Sequence, residues 1–165
     1  VASTIADFAK NSGKTVIYRP GAPYLRLGIE KIREVLEHVD IFIMNEVGWN
    51  ELKNGSKGNL SSIAQLQRYG PETIILTKGS QGCEVWTDDQ HKSYSVPKYL
   101  TEKFRVVDPT GAGDSFSAAL IKKLLEGSSL EEAIRFAQVA AYITCSRLGA
   151  SPAFPTLEEI MENFG

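Results

Sequence analysis

The residue types that could do chemistry concentrate in one heptapeptide, Asp108-Pro109-Thr110-Gly111-Ala112-Gly113-Asp114. It joins an apolar, strand-like run, Phe104-Arg105-Val106-Val107, to a helical run that starts near Ser115 and continues through Phe116, Leu120 and Leu124. Gly111 and Gly113 let the backbone turn tightly and leave several N–H groups pointing at one spot, where the helix macrodipole also favours an anion. Such a bend is a cradle for phosphate or an oxyanion. Asp114, at its rim, is placed to take a proton from a hydroxyl whose attack on a phosphoryl group the cradle would stabilise. An acid in the first turn of a helix is favoured by the dipole alone, so it is the position after two glycines that points to catalysis. The chemistry implied is phosphoryl transfer.

The elements around this bend alternate. A helix ending at Lys10 and stopped by Gly13 precedes a strand at Thr15-Val16-Ile17-Tyr18, and a turn at Pro20-Gly21-Ala22-Pro23 leads to a helix with Ile29, Ile32, Val35 and Leu36 on one face. The runs Ile41-Phe42-Ile43-Met44 and Thr73-Ile74-Ile75-Leu76-Thr77 are too continuously apolar to have a solvent face, as in parallel strands. Between them lie a short helix from Val47 to Lys53 and a helix carrying Leu60, Ile63 and Leu66. Cys83–Trp86 and Ser93–Val96, separated by Asp88-Asp89-Gln90, predict an antiparallel hairpin. The last third is helical, with capping-box patterns at Ser129/Glu132 and Thr156/Glu159. The whole is an α/β fold, an open and mostly parallel sheet flanked by helices on both faces.

Two further segments end buried strands at the carboxyl edge, where open α/β sheets take ligands. Thr77-Lys78-Gly79-Ser80-Gln81-Gly82 has glycines that would let a flat base or phosphates approach the backbone, although by itself it also reads as a strand-to-hairpin turn. Lys78 could reach phosphate or lie in solvent. Asn45 and Glu46 end the other strand, Asn45 serving either as a helix N-cap or as a polar ligand to phosphate or metal-bound water. His38 and His91 have no metal-ligand spacing with each other or with the cysteines. Gly13-Lys14-Thr15 imitates the end of a Walker A loop but has Phe8 where the first glycine belongs. Gly111-Ala112-Gly113-Asp114-Ser115-Phe116 starts like a dinucleotide fingerprint but has Phe116 where the third glycine belongs.

Composition narrows the partners. A chain of 165 residues fits one domain and can bury about 70% of its unfolded surface. A net charge of −2 with no basic block speaks against nucleic acid and against a polybasic membrane anchor, and leaves a small molecule as partner. The two cysteines, Cys83 and Cys145, sit in apolar periodic segments and are expected to be buried thiols. No apolar stretch is long enough for a membrane span and no signal pattern opens the chain, so a cytoplasmic location is expected. The first residue is Val1, not Met, and the chain is expected to begin inside a longer protein.

With these pieces together, the chain resembles the C-terminal part of the ribokinase-like (PfkB) carbohydrate kinase family over essentially all its length. Asp108-Pro109-Thr110-Gly111-Ala112-Gly113-Asp114-Ser115-Phe116 looks like the family's C-terminal signature, with proline where threonine is frequent. Asn45-Glu46, Thr77–Gly82, Arg147-Leu148-Gly149-Ala150 and Pro155–Ile160 are supporting matches in the right order. The resemblance implies ATP-dependent transfer of the γ-phosphoryl group to a hydroxymethyl of a sugar or nucleoside. By it, Asp114 is the base, and the amides of Gly111, Ala112 and Gly113 form the anion hole. Thr77, Lys78, Gly79, Ser80, Gln81 and Gly82 run along the nucleotide, with Asn45 near its phosphates and Gln138 near the adenine. Mg²⁺ bridges the phosphates largely through water. A monovalent cation, K⁺ in many members, corresponds to Asp108, Thr110, Thr144, Arg147, Gly149 and Ala153, mostly through backbone carbonyls. A homodimer of the full-length protein is the assembly the resemblance allows.

Family members are roughly twice this length, so the first strands, the lid and most substrate contacts would lie in an N-terminal half, and the isolated chain is expected to be inactive. The family's Asn-x-x-Glu element reads Asn45-Glu46-Val47-Gly48 and lacks its acid, and Arg19 stands where relatives often carry an acid. Gly48 favours a rival reading, a non-catalytic nucleotide-binding sensor or partner subunit derived from such a kinase. The intact Gly111-Ala112-Gly113-Asp114 bend favours catalysis.

Overall fold

The structure, a computed structural model, describes residues 1–164. The described residues form two compact units, one of residues 1–79 and 83–93, the other of residues 80–82 and the described residues from 94 onward.

The first unit is built on the sheet. Its helices are α1 (Ala2–Asn11), α2 (Ala22–Leu25), α3 (Ile29–Leu36) and α4 (Glu46–Gly55), interleaved with strands β1 (Ile17–Tyr18), β2 (Ile41–Asn45) and β3 (Thr73–Thr77). The strands β4 (Cys83–Trp86) and β5 (His91–Tyr94) complete a five-stranded sheet of order β1-β2-β3-β4-β5. The pairs β1–β2 and β2–β3 are parallel and β3–β4 antiparallel, so the sheet is open and mostly parallel as expected. Phe42, Met44, Ile74 and Leu76 enter one core with Ile29, Ile32, Leu36, Leu52 and Leu66. The alternate residues Ile43 and Ile75 are fully buried too, which is why these strands read as unbroken apolar runs.

Several elements differ from expectation for local reasons. β1 is only two residues long because the Val16 N–H donates to the Asp40 carboxylate at 2.7 Å instead of entering a ladder. The segment around Leu60 to Leu66 is a 3-10 helix over Ile63–Tyr69, opened by a Ser62/Gln65 capping box, with Leu60 buried ahead of it. The return strand of the hairpin begins at His91 rather than Ser93, because the Thr87 N–H closes the turn on the Gln90 carbonyl at 2.9 Å.

The second unit carries α5 (Lys98–Lys103), α6 (Ala112–Leu125), α7 (Leu130–Cys145) and α8 (Leu157–Met161). Its core is the seam of α6 and α7, with Phe116, Leu120, Ile134, Phe136, Ala137 and Ala140 buried. Ser129 caps α7 by accepting the Glu132 N–H at 3.2 Å, and the Thr156/Glu159 capping box is complete at α8. The run Phe104–Val107, expected as a strand, is not one. Phe104 closes α5, Val106 and Val107 are exposed, and the Val107 and Asp108 N–H groups both donate to the Cys145 carbonyl, at 2.7 and 3.1 Å. The free carbonyl at the end of α7 takes the place of a neighbouring strand. Among the described residues both cysteines are free thiols, and no helix is long and apolar enough to cross a membrane.

Candidate functional site

In the second unit the heptapeptide forms a tight bend that leads straight into α6, three residues earlier than the sequence pattern suggested. Gly111 has φ +83, the left-handed region, and a Cβ there would lie 2.9 Å from Phe154 Cε1 and 3.2 Å from Ala150 Cα. Both the dihedral and the close wall require glycine. The Ala112 N–H donates to the Pro109 carbonyl at 3.2 Å, and the Asp114 and Ser115 N–H groups donate to the Gly111 carbonyl at 3.0 and 2.9 Å. Among the described residues the N–H groups of Gly111 and Gly113 meet no acceptor. Two of the three expected amides are therefore open at the positive end of a 14-residue helix, with the Asp114 carboxylate exposed in its first turn. A cavity of about 450 Å³ opens beside Asp114, lined by Ser115, Ala118, Lys122, Phe154 and Leu157 among others.

The bend is fastened from below. Asp108 Oδ1 accepts the Thr110 N–H at 2.9 Å and Oδ2 accepts the Gly149 N–H at 2.9 Å. These bonds hold its carboxyl below the usual carboxylate range, the Thr110 side chain contributing most, then the two amides. Thr144 is buried and its hydroxyl donates to the Ala140 carbonyl at 2.9 Å. Arg147 pairs with Glu159, which also accepts the Thr156 N–H at 2.8 Å. Ala153 is fully buried and offers no side-chain donor atom. Of the six positions foreseen for a monovalent cation, the structure joins Asp108, Thr110 and Gly149 directly, while the side chains of Thr144 and Arg147 are engaged elsewhere.

The loop after β3 is shared between the units, and its last residues belong to the second. Gly82 has φ +96 and its absent Cβ would meet the Tyr94 carbonyl oxygen at 2.0 Å and Gln138 Nε2 at 3.1 Å. Gln138, 4% exposed, donates from Nε2 to that same carbonyl at 2.9 Å. Its Oε1 is buried and has no hydrogen-bond donor among the described residues. An orphaned acceptor in the interior is unfavourable unless a ligand or water supplies the donor. Two residues foreseen for nucleotide binding, Gly82 and Gln138, thus lie side by side.

In the first unit, Asn45 and Thr77 are register partners at the ends of parallel strands β2 and β3. Asn45 Oδ1 accepts the Gly48 N–H at 2.7 Å, so its capping role is realised. Gly48 is buried, and a Cβ there would approach Leu25 Cδ1 to 2.8 Å, so an acid at this position has no room without rearrangement. Lys78 is bound to Glu84 at 2.7 Å, and the other Glu84 oxygen lies 3.1 Å from His91 Nε2, whose ring stacks on Trp86 at 4.4 Å. The Glu84 contact raises the ammonium pKa of Lys78, and Lys78 is the main cause holding the Glu84 carboxyl low. Gly79, at φ +55, faces open space. Glu84, His91 and Tyr94 were not singled out by the sequence. Only the charge at Glu84, on the partly exposed face of an alternating strand, could have signalled the first. Among the described residues no group of three or more His, Cys, Asp or Glu could hold a metal ion.

The profile of the pfkB family carbohydrate kinases matches residues 1–157. The chain belongs to this family. Its relatives include fructokinase-1 of Oryza sativa subsp. japonica, 30% identical over 94% of this chain and 50% of the relative. Ribokinase of Haemophilus influenzae is 32% identical over 95% of this chain and 49% of the relative. Among solved structures, the Arabidopsis thaliana ribokinase complexed with ribose and ATP superposes with a TM-score of 0.80, at 27% identity, covering 98% of this chain and 51% of that one. The chain therefore spans about half the length of the PfkB relatives it matches.

Proposed function

We propose that this protein is the C-terminal, nucleotide-binding and catalytic portion of a PfkB kinase that transfers the γ-phosphoryl group of ATP to a hydroxymethyl of a sugar or nucleoside. The observation that carries the reading is the pair of open amides, Gly111 and Gly113, at the start of α6 beside the exposed Asp114. In a loose phosphoryl-transfer transition state charge spreads over the migrating group, and positioned N–H donors with little else can stabilise it. Loss of one such donor costs about 10²–10³ in kcat. Asp114 would accept the proton of the attacking alcohol. Gly82 and Gln138, with Asn45 and the Thr77–Gly82 loop, would receive the nucleotide, and the bare backbone at Gly79, which faces open space, suits close approach of phosphates and ribose. Mg²⁺ accompanying the nucleotide would be held by phosphate oxygens and water.

On this reading the 165-residue chain binds nucleotide but does not turn it over, because substrate orientation supplies a large part of the rate and its residues lie in the half that the relatives have beyond this match. Calorimetry with ADP and Mg²⁺ tests the binding, and phosphorylation of a sugar and nucleoside panel by the full product of the gene tests the chemistry. Asp114→Asn is expected to abolish transfer and leave ADP binding in place; an undiminished rate would remove Asp114 from the role of base. Gly48, standing where the family carries an acid, favours one alternative, a nucleotide sensor. ATP binding by the full gene product with no transfer to any acceptor would select it.

A further inference from the structure

The parallel strands of the first unit end at one edge, and what they carry there follows from pleat and register. Tyr18 pairs with Phe42, and Asn45 with Thr77. Tyr18, Phe42, Met44, Ile74 and Leu76 all pack into the one core of this unit, so the alternate residues point to the opposite face of the sheet. That second face carries the buried Ile43 and Ile75 and, at the carboxyl ends, Asn45 and Thr77. Arg19 follows Tyr18 directly, and Pro20 after it disfavours a helical turn at Arg19. The strand direction is kept for one more residue, which puts Arg19 level with Ile43 and on the face of Asn45. Two residues along a strand and one strand across separate the Cα atoms of Arg19 and Asn45 by about 8 Å.

Both residues are exposed. Asn45 Oδ1 accepts the Gly48 N–H at 2.7 Å, which leaves its Nδ2 as a donor that meets no acceptor among the described residues. The Thr77 hydroxyl turns back to the Met44 carbonyl, 3.4 Å away. Lys78, the neighbouring cation, is drawn to the other face: Glu84 pairs with Leu76 across β3 and β4, shares its side of the sheet, and binds Lys78 at 2.7 Å. Charge at this edge is thereby sorted. An ion pair occupies the core-side face, and a guanidinium beside a neutral amide donor occupies the opposite one.

We propose that Arg19 is a phosphate-binding residue, its guanidinium acting with the Asn45 amide to hold the phosphate tail of the nucleotide on the sheet face opposite the Lys78 and Glu84 pair. A guanidinium presents a planar fork that matches two phosphate oxygens, and the neutral donor beside it takes a third. The place is the one where open α/β sheets take ligands, outside the carboxyl ends of parallel strands. Arg19 stands where relatives often carry an acid, so the assignment belongs to this chain and not to its family. That the anion is part of a nucleotide rests on the kinase reading; that the subsite takes phosphate does not.

The test titrates the isotope-labelled 165-residue chain with pyrophosphate, ADP and adenosine at constant ionic strength. In wild type, pyrophosphate and ADP should shift the Arg19 Nε–H and the Asn45 side-chain amide resonances saturably, and adenosine should not. Arg19→Gln should weaken pyrophosphate binding, read at Asn45, about tenfold or more. Arg19→Lys, which keeps the charge and loses the fork, should weaken it about threefold. Arg33→Gln, the same change of charge on α3, should leave it unaltered. Pyrophosphate affinity that is unchanged in Arg19→Gln, or that falls equally in Arg33→Gln, would overturn the proposal. So would the lack of saturable shifts at Arg19 in wild type, a result that needs no variant to fold. Should pyrophosphate behave as expected while ADP shifts nothing at Gly82 or Gln138, the nucleotide reading fails and the phosphate subsite stands.

Discussion

Gly111 and Gly127 stand at the two ends of α6 with nearly equal left-handed dihedrals, φ +83 and +80, and differ in what surrounds them. A Cβ on Gly127 would meet nothing within 4 Å; one on Gly111 would stand 2.9 Å from Phe154 Cε1 and 3.2 Å from Ala150 Cα. Gly127→Ala therefore carries only the cost of a left-handed alanine, about 1–2 kcal/mol. Gly111→Ala carries that cost and an overpacking term of about 1–3 kcal/mol. The Phe154 ring can swing aside, but the backbone at Ala150 must shift. With a urea dependence of roughly 1–3 kcal/mol per molar, the midpoint of Gly111→Ala should lie about 1 M below that of Gly127→Ala. Trp49 and Trp86 both belong to the first unit, so the transition of the second should be followed by amide exchange of α6 and α7 rather than by tryptophan fluorescence. ADP affinity should fall in Gly111→Ala and hold in Gly127→Ala. Equal midpoints would mean that the bend is not held against the residue 150–154 wall, and intact ADP binding in Gly111→Ala would mean that the bend is not the anion site.

Gln138→Leu removes a hydrogen bond worth about 1 kcal/mol together with an orphaned acceptor costing about 1–3 kcal/mol, so denaturation should show nearly unchanged stability while calorimetry shows weaker ADP binding. Glu84→Gln should destabilise the protein at neutral pH. The Glu84 carboxyl is lowered, so the contribution that the variant lacks is present above about pH 4.5 and disappears as pH falls through the lower folded value. The Lys78 ammonium is raised, so the contribution is present up to about pH 10.5 and is lost as pH rises through the higher folded value; paired melting curves across that range read the difference. Burial pushes the Cys83 thiol pKa up to about 12 and raises that of half-buried Cys145. Disulfide reagents at pH 8 should accordingly modify Cys145 first in the native protein and both at similar rates after unfolding, as mass spectrometry of labelled peptides would record.

What the sequence made legible is what is encoded over a few neighbouring residues. Ile41–Met44 and Thr73–Thr77 announced themselves as interior strands because a parallel strand has no wet face to break the apolar run. The bend at Gly111 was visible because a left-handed turn into a helix asks for glycine. The misreadings share one cause, a partner far along the chain. Phe104–Val107 has the residues of a strand, but its last amide was claimed by Cys145, and β1 lost Val16 to Asp40. Lys78 looked like a free loop cation because nothing local tells that Glu84, across the turn, will bind it. Arg147 was placed from the resemblance alone, and its tie to Glu159 follows from how α8 returns onto α7.

The same distinction bears on what a chain that spans about half of the family fold can do. The cradle draws on Asp108 to Asp114 and on Cys145, Gly149, Ala150 and Phe154, all within the second unit. None of its supports has to come from the half of the family fold that this chain does not span. An anion site of this construction is therefore expected to survive in the 165-residue chain, since its donors are backbone groups fixed by bonds inside one compact unit. Orientation of an acceptor alcohol over Asp114 has no such local encoding. Binding and turnover should separate in this chain, and a 165-residue protein that held ADP through Gly111 and Gly113 yet phosphorylated nothing would behave as its own covalent neighbourhood dictates.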